Sequence, residues 1–174
     1  MSMAPEFSRP VALARIGAEL YRQQISANEV ERAALARRFD LVSLERLDAS
    51  VELVREGDRF IIVRADFEAA FEQCCIVTLE PIAGAVAERF TLLYGPPAAE
   101  ETAATLVGDE VAFEPLTGDT IDIGEAVAQE FSLALPPFPR SPDAAVQDAA
   151  LQQGDAGAFA DLSRLLDRRG PETC

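Results

Sequence analysis

Histidine, lysine and tryptophan are all missing from this chain of 174 residues, and its 15 basic residues are arginines throughout. Without histidine, the Ser–His and Cys–His nucleophile pairs and the commonest general base are excluded. Without lysine, no phosphate loop of the G-x-x-x-x-G-K type can exist, and the scattered glycines nowhere spell G-x-G-x-x-G. No stretch approaches the roughly 20 unbroken apolar residues of a membrane span. The opening residues, Met1 to Pro10, lack the basic-then-apolar layout of an export signal. A cytoplasmic protein with no membrane partner is therefore expected. Cysteine is scarce too: Cys74 and Cys75 are neighbours and Cys174 is the last residue, which frames no disulfide scaffold. On a strand, Cys74 and Cys75 point to opposite faces and cannot easily grip one metal ion. Both are read as small core hydrophobes, and no cofactor is expected.

Acid is what the chain has in excess: 30 carboxylates against 15 arginines, a net charge of −15. The excess is uneven, −1 over residues 1–60, −11 over 61–140 and −3 beyond. A half-molecule of that sign repels phosphate backbones, DNA included, and draws basic partners. An apolar fraction of 49% nevertheless gives a chain of this length ample material for a core.

Periodicity divides the chain. Short extended segments are expected at Pro10–Ile16 and Leu20–Ala27, followed by a helix at about 28–39 opened by a Ser26/Glu29 capping box. Its apolar stripe is read as Val30, Ala34, Leu35 and Phe39. Val51 and Leu53 then lead into Glu56-Gly-Asp-Arg59, whose Gly-Asp centre suits a two-residue hairpin turn. Beyond it, Ile61, Val63, Ala65, Phe67, Ala69 and Phe71 share one parity, while Arg64, Asp66, Glu68 and Glu72 share the other. That is a strand with one dry and one wet face, long enough that a bulge or bend is expected within it. Val86, Phe90, Leu92 and Tyr94 repeat the pattern with Glu88 as the exception, up to Gly95-Pro-Pro97. Residues 96–110 read as a mobile acidic loop and Val111–Pro115 as a short strand.

The most informative segment is Thr120 to Pro139. Asp122 is placed to accept from the free N–H groups of a first helical turn, with Glu125 to reciprocate. Ile123, Val127 and Phe131 recur every four residues, widened by Ala126 and Ala134. Pro136, Pro137 and Pro139 then end the helix and push Leu135 and Phe138 toward extended geometry. The proline segment is read as cover for the core edge, with a ligand for an aromatic groove as the alternative. Past Arg140 the chain turns alanine-rich and polar, and Phe159, Leu162, Leu165 and Leu166 return at helical spacing. One α+β domain at 1–139 is expected, with two helices on one face of a twisted antiparallel sheet. A flexible acidic linker at 140–157 and an amphipathic helix at 158–170 complete the chain.

The D-I-x-x-x-V-x-x-E-x-x-L-x-L-P-x-x-P layout of Asp122–Pro139 resembles the C-terminal signature of the YceD family. Those are bacterial proteins linked to accumulation of large-subunit ribosomal RNA. Ala70–Pro81, a strand ending in cysteine and a turn reading L-E-P, is similar to the family's central motif. Ala27–Ala36 and Ala158–Leu166 match its early helix and its closing motif, in the family's order. Many members carry C-x-x-C at the turn; here Val77 lies three after Cys74, which argues against zinc. The resemblance implies support for synthesis, processing or stability of large-subunit ribosomal RNA, with no established catalytic step. Since the acidic half argues against direct RNA contact, the expected partner is a basic protein, with ribosomal RNA engaged indirectly. The expected contact residues are Glu100, Glu101, Asp119, Asp122, Glu125, Glu130, Pro136, Pro137 and Pro139. Direct RNA binding through Arg32, Arg37 and Arg38 is the alternative. A third reading is a carboxylate enzyme built on Asp119, Asp122 and Glu125, or on Glu100, Glu101, Asp109 and Glu110.

Overall fold

Strict alternation of side chains builds the central strand, β4 (Phe60–Cys74). Val63, Ala65, Phe67, Ala69 and Phe71 are buried, while Arg64, Asp66 and Glu68 between them are exposed. The computed structural model describes residues 5–17, 19–97 and 111–144. Glu100, Glu101, the rest of the loop to residue 110, the 158–170 helix and most of the 140–157 linker lie outside those residues.

β4 pairs antiparallel with β3 (Ser43–Glu56) on one side and β5 (Pro81–Gly95) on the other. β2 (Tyr21–Ser26) flanks β3, and β6 (Ala112–Pro115) flanks β5, giving the order β2-β3-β4-β5-β6. β6 runs parallel to β5, so the sheet is antiparallel in all but its last pairing. A separate ribbon joins β1 (Pro10–Ala12) to β7 (Thr120–Asp122). The expected irregularity exists but sits in β3: the register slips between Leu44 and Arg46, leaving Glu45 as the extra residue while β4 runs unbroken. The hairpin loop is Gly57-Asp58-Arg59, three residues rather than two, with Gly57 at φ +61°.

Helix α1 (Glu29–Arg38) is capped by Asn28 and Glu31 instead of Ser26 and Glu29: Glu31 N–H donates to Asn28 Oδ1 and Asn28 N–H to Glu31 Oε2. Leu35 and Ala36 are buried, whereas Val30 is 78% exposed and takes no part in the stripe. Helix α2 (Ile123–Ala134) buries Ile123, Ala126, Val127 and Phe131, as its periodicity predicts. Phe131 is the hub of the core: the rings of Phe39, Phe67 and Phe71 meet it at 5.8, 6.4 and 5.7 Å, all steeply inclined. Both helices thus cover one face of the sheet. The other face is wet over Asp66 and Glu68, but at the β3–β4 hairpin end Phe60, Ile62 and Leu93 form a second apolar cluster with Val54 and Phe113.

A groove beside helix α2

The N-terminal end of α2 spends its acids on structure. Asp122 Oδ1 accepts from Gly124 N–H and Glu125 N–H at 3.1 Å and from Arg9 N–H at 2.7 Å, and Oδ2 accepts from Ser8. One carboxylate therefore caps the helix and pins the N-terminal segment to it. Glu125 does not reciprocate that cap. It holds the Arg38 guanidinium through two bonds of 2.9 and 2.7 Å, and Arg38 also reaches Glu6 at 3.0 Å. Arg38 keeps its proton more firmly for the same reason, the bonds it donates to Glu125 outweighing burial. Asp119 is exposed, and its carbonyl accepts from Leu13 N–H. Asp119, Asp122 and Glu125 thus do not converge as a carboxylate centre.

The C-terminal end of α2 is different. Leu135, at φ −66° and ψ 137°, leaves the helix in extended geometry, and the proline segment crosses the end of β4. Gln73 Nε2 donates to the Pro136 carbonyl at 3.4 Å and Ile76 N–H to that of Pro139 at 2.9 Å. Between this segment, α2 and β5 lies a groove of about 360 Å³ lined by Phe67, Phe90, Glu130, Leu135, Pro136 and Glu88. Pro137 lies on its rim, and Leu133 and Phe138 nearby are 78% and 74% exposed.

Three carboxylates of this region carry no ion pair among the described residues: Glu88, Glu114 and Glu130. Burial first, then the charges of Glu114 and Glu88, hold the Glu130 carboxyl above the ordinary glutamate range. Burial, with Glu114, Asp122 and Glu130 behind it, likewise raises the Tyr94 hydroxyl. Of the contact residues expected from the sequence, Glu130, Pro136 and Pro137 line this groove, whereas Glu88, which also lines it, and Glu114, whose charge acts on Glu130, were not among them. Glu88 had a signal: it breaks the dry parity of β5, and its register partner is the buried Phe67. Glu114, paired with Tyr94 across a parallel ladder, had none.

Of the three arginines of the RNA reading, two share a groove and the third is held by carboxylates. Arg38 is committed to Glu125 and Glu6, and Arg32 donates to the Ala27 carbonyl at 2.8 Å. Arg32 and Arg37 line a shallow groove with Glu29, Leu41 and Val42.

The two adjacent cysteines differ. Cys74 is exposed rather than in the core, while Cys75 is fully buried as a hydrogen-bond acceptor. Its Sγ accepts from Ser141 N–H at 3.3 Å and Thr78 N–H at 3.5 Å. Hydrogen bonds from Thr78 above all, then Ser141, bring its thiol down to about 6. Among the described residues no three His, Cys, Asp or Glu side chains are grouped to hold a metal ion, and no helix is long and apolar enough to cross a membrane.

Among curated proteins and solved structures, none matches the chain. A family model, described as large ribosomal RNA subunit accumulation protein YceD, matches residues 63–161, more than half of the sequence. Within that span lie most of β4, the L-E-P turn, the groove and the helix-then-proline segment, and the chain belongs to the YceD family.

Proposed function

We propose that this chain supports accumulation of large-subunit ribosomal RNA in the cytoplasm without catalysing a reaction, by holding a basic protein such as a ribosomal protein during subunit assembly. The observation that carries the reading is the groove itself. Among the described residues Glu88 and Glu130 carry no ion pair around an apolar floor of Phe67, Phe90 and Leu135, Arg89 beside them is committed to Asp66, and Glu114 lies near enough for its charge to act on Glu130. Other acids of the same half are occupied, Asp122 by its cap and Glu125 by Arg38. A carboxylate kept partly buried without a cation opposes folding, and a partner's arginine or lysine supplies what the fold withholds.

The test is affinity purification of wild type and of a Glu88→Gln, Glu114→Gln, Glu130→Gln variant, with and without nuclease. The expected result is nuclease-resistant capture of basic ribosomal proteins by wild type and its loss in the variant. Because burial disfavours the Glu130 charge, the variant should unfold no earlier than wild type, which separates lost capture from lost fold. Equal capture by both proteins contradicts the reading. Capture that vanishes with nuclease, and with an Arg32→Ala, Arg37→Ala pair, points to direct RNA contact instead.

A further inference from the structure

Strand β5 is fifteen residues long, yet β6 covers only Leu92 to Gly95 of its outer side. From Pro81 to Thr91 that side has no ladder partner among the described residues. Two independent marks fix which backbone groups face outward. Pro81, which has no N–H, opposes Cys74 at one end, and at the other the Gly95 carbonyl accepts from Leu116 N–H on the β6 side. The register with β4 is unbroken between them, so counting by twos from either end gives the same answer. Ala83, Ala85, Ala87 and Arg89 direct their N–H and C=O groups away from β4.

An edge of this kind is usually blunted by charge, proline or a bulge. Here Ile82 to Ala87 carries none of these; the charges come only at Glu88 and Arg89, and Pro81 stands at the other end. The edge also adjoins the groove, since Glu88 and Phe90 belong to both. We propose that the basic partner docks as an added β-strand along Ala83–Arg89, an inference that rests on the acidic-groove reading above. The added strand takes its main-chain bonds from the edge that no described residue pairs, and every second side chain faces the α2 side. Those side chains fall opposite Val86, Glu88 and Phe90, under Glu130 and Pro136. The partner segment is therefore extended, with an arginine or lysine flanked two residues away on each side by aliphatic residues. A second copy of this chain fits poorly, because two molecules of net charge −15 repel.

The experiment uses the full chain and a short synthetic peptide in which valine, arginine and valine alternate with threonine. Amide hydrogen exchange is followed by NMR, and affinity by calorimetry. Added peptide should slow exchange at Ala83, Ala85, Ala87 and Arg89 and leave the β4-facing amides of Gly84, Val86 and Glu88 unchanged. Ala85→Pro, which removes an outward N–H and no bond to β4, should weaken binding about tenfold. Unchanged edge exchange with saturating peptide overturns the proposal whatever Ala85→Pro does to folding. So does protection of those amides in the peptide-free chain, whether it grows with concentration, as pairing of two copies would, or does not. If the peptide binds, depends on Glu88, Glu114 and Glu130, and leaves the edge unprotected, the groove reading stands and strand addition falls. If the edge is protected equally in the neutralised variant, strand addition stands and the charge reading falls.

Discussion

At the scale of single residues, each acid is defined by what it touches. Asp122 joins the β1 segment to α2 through four accepted bonds. Asp122→Ala should cost about 2 kcal/mol, at the upper end for a helix cap because the bonds to Ser8 and Arg9 go with it. Chemical denaturation measures this, and a loss within a few tenths contradicts the role. Cys75 offers a test by pH. Its folded value of about 6 lies below that of the unfolded thiol, so the fold favours the thiolate. The stability this contributes is complete above the unfolded value and lost as pH falls through the folded one. The denaturation midpoint should therefore rise from pH 6 to about 8.5 in wild type, and Cys75→Ala should flatten that rise. An unchanged slope in the variant would show that the thiol titrates alike in both states. The Asp122 cap was legible in the sequence because capping is local. The bonds to Cys75 were not, since Ser141 lies 66 residues away.

At the scale of elements, what could be read was what repeats. The dry face of β4 and the stripe of α2 follow from periods of two and of about 3.6 residues, and both stand in the structure. What could not be read was pairing between distant segments. The parallel approach of β6 to β5 depends on a crossover that leaves no pattern in either strand. The α1 cap was misplaced by two residues because Ser26/Glu29 and Asn28/Glu31 satisfy the same spacing, and only the fold chooses. Arg38 shows the same non-locality, tying α1 to α2 through Glu125 and to the N-terminal segment through Glu6. Arg38→Gln should cost roughly 1 kcal/mol, since the pair is partly exposed and screened by solvent. The loss should shrink at high salt while groove binding persists. A variant that keeps its stability but loses RNA crosslinking would return Arg38 to the RNA reading.

At the scale of the molecule, negative charge is spread unevenly along the sequence. Residues 61–140 hold 11 of the 15 net negative charges, and the groove beside α2 is built from that stretch, its Glu88 and Glu130 without an ion pair among the described residues. A field of that sign disfavours a polyphosphate and concentrates a cation, which is the ground on which we propose a basic partner. The groove was half legible: Glu130, Pro136 and Pro137 were singled out from the sequence and line it, and Glu88 announced itself as a break in parity. Its depth comes from Phe67 and Phe90, tilted together at 6.2 Å, which periodicity assigned to the core alone. The most direct test titrates the purified protein, at physiological salt, against one basic ribosomal protein and against naked large-subunit ribosomal RNA. The account predicts saturable binding to the protein that weakens steeply with added salt and is lost when Glu88, Glu114 and Glu130 are neutralised. Tight binding to the bare transcript, with no other polypeptide present, would contradict it.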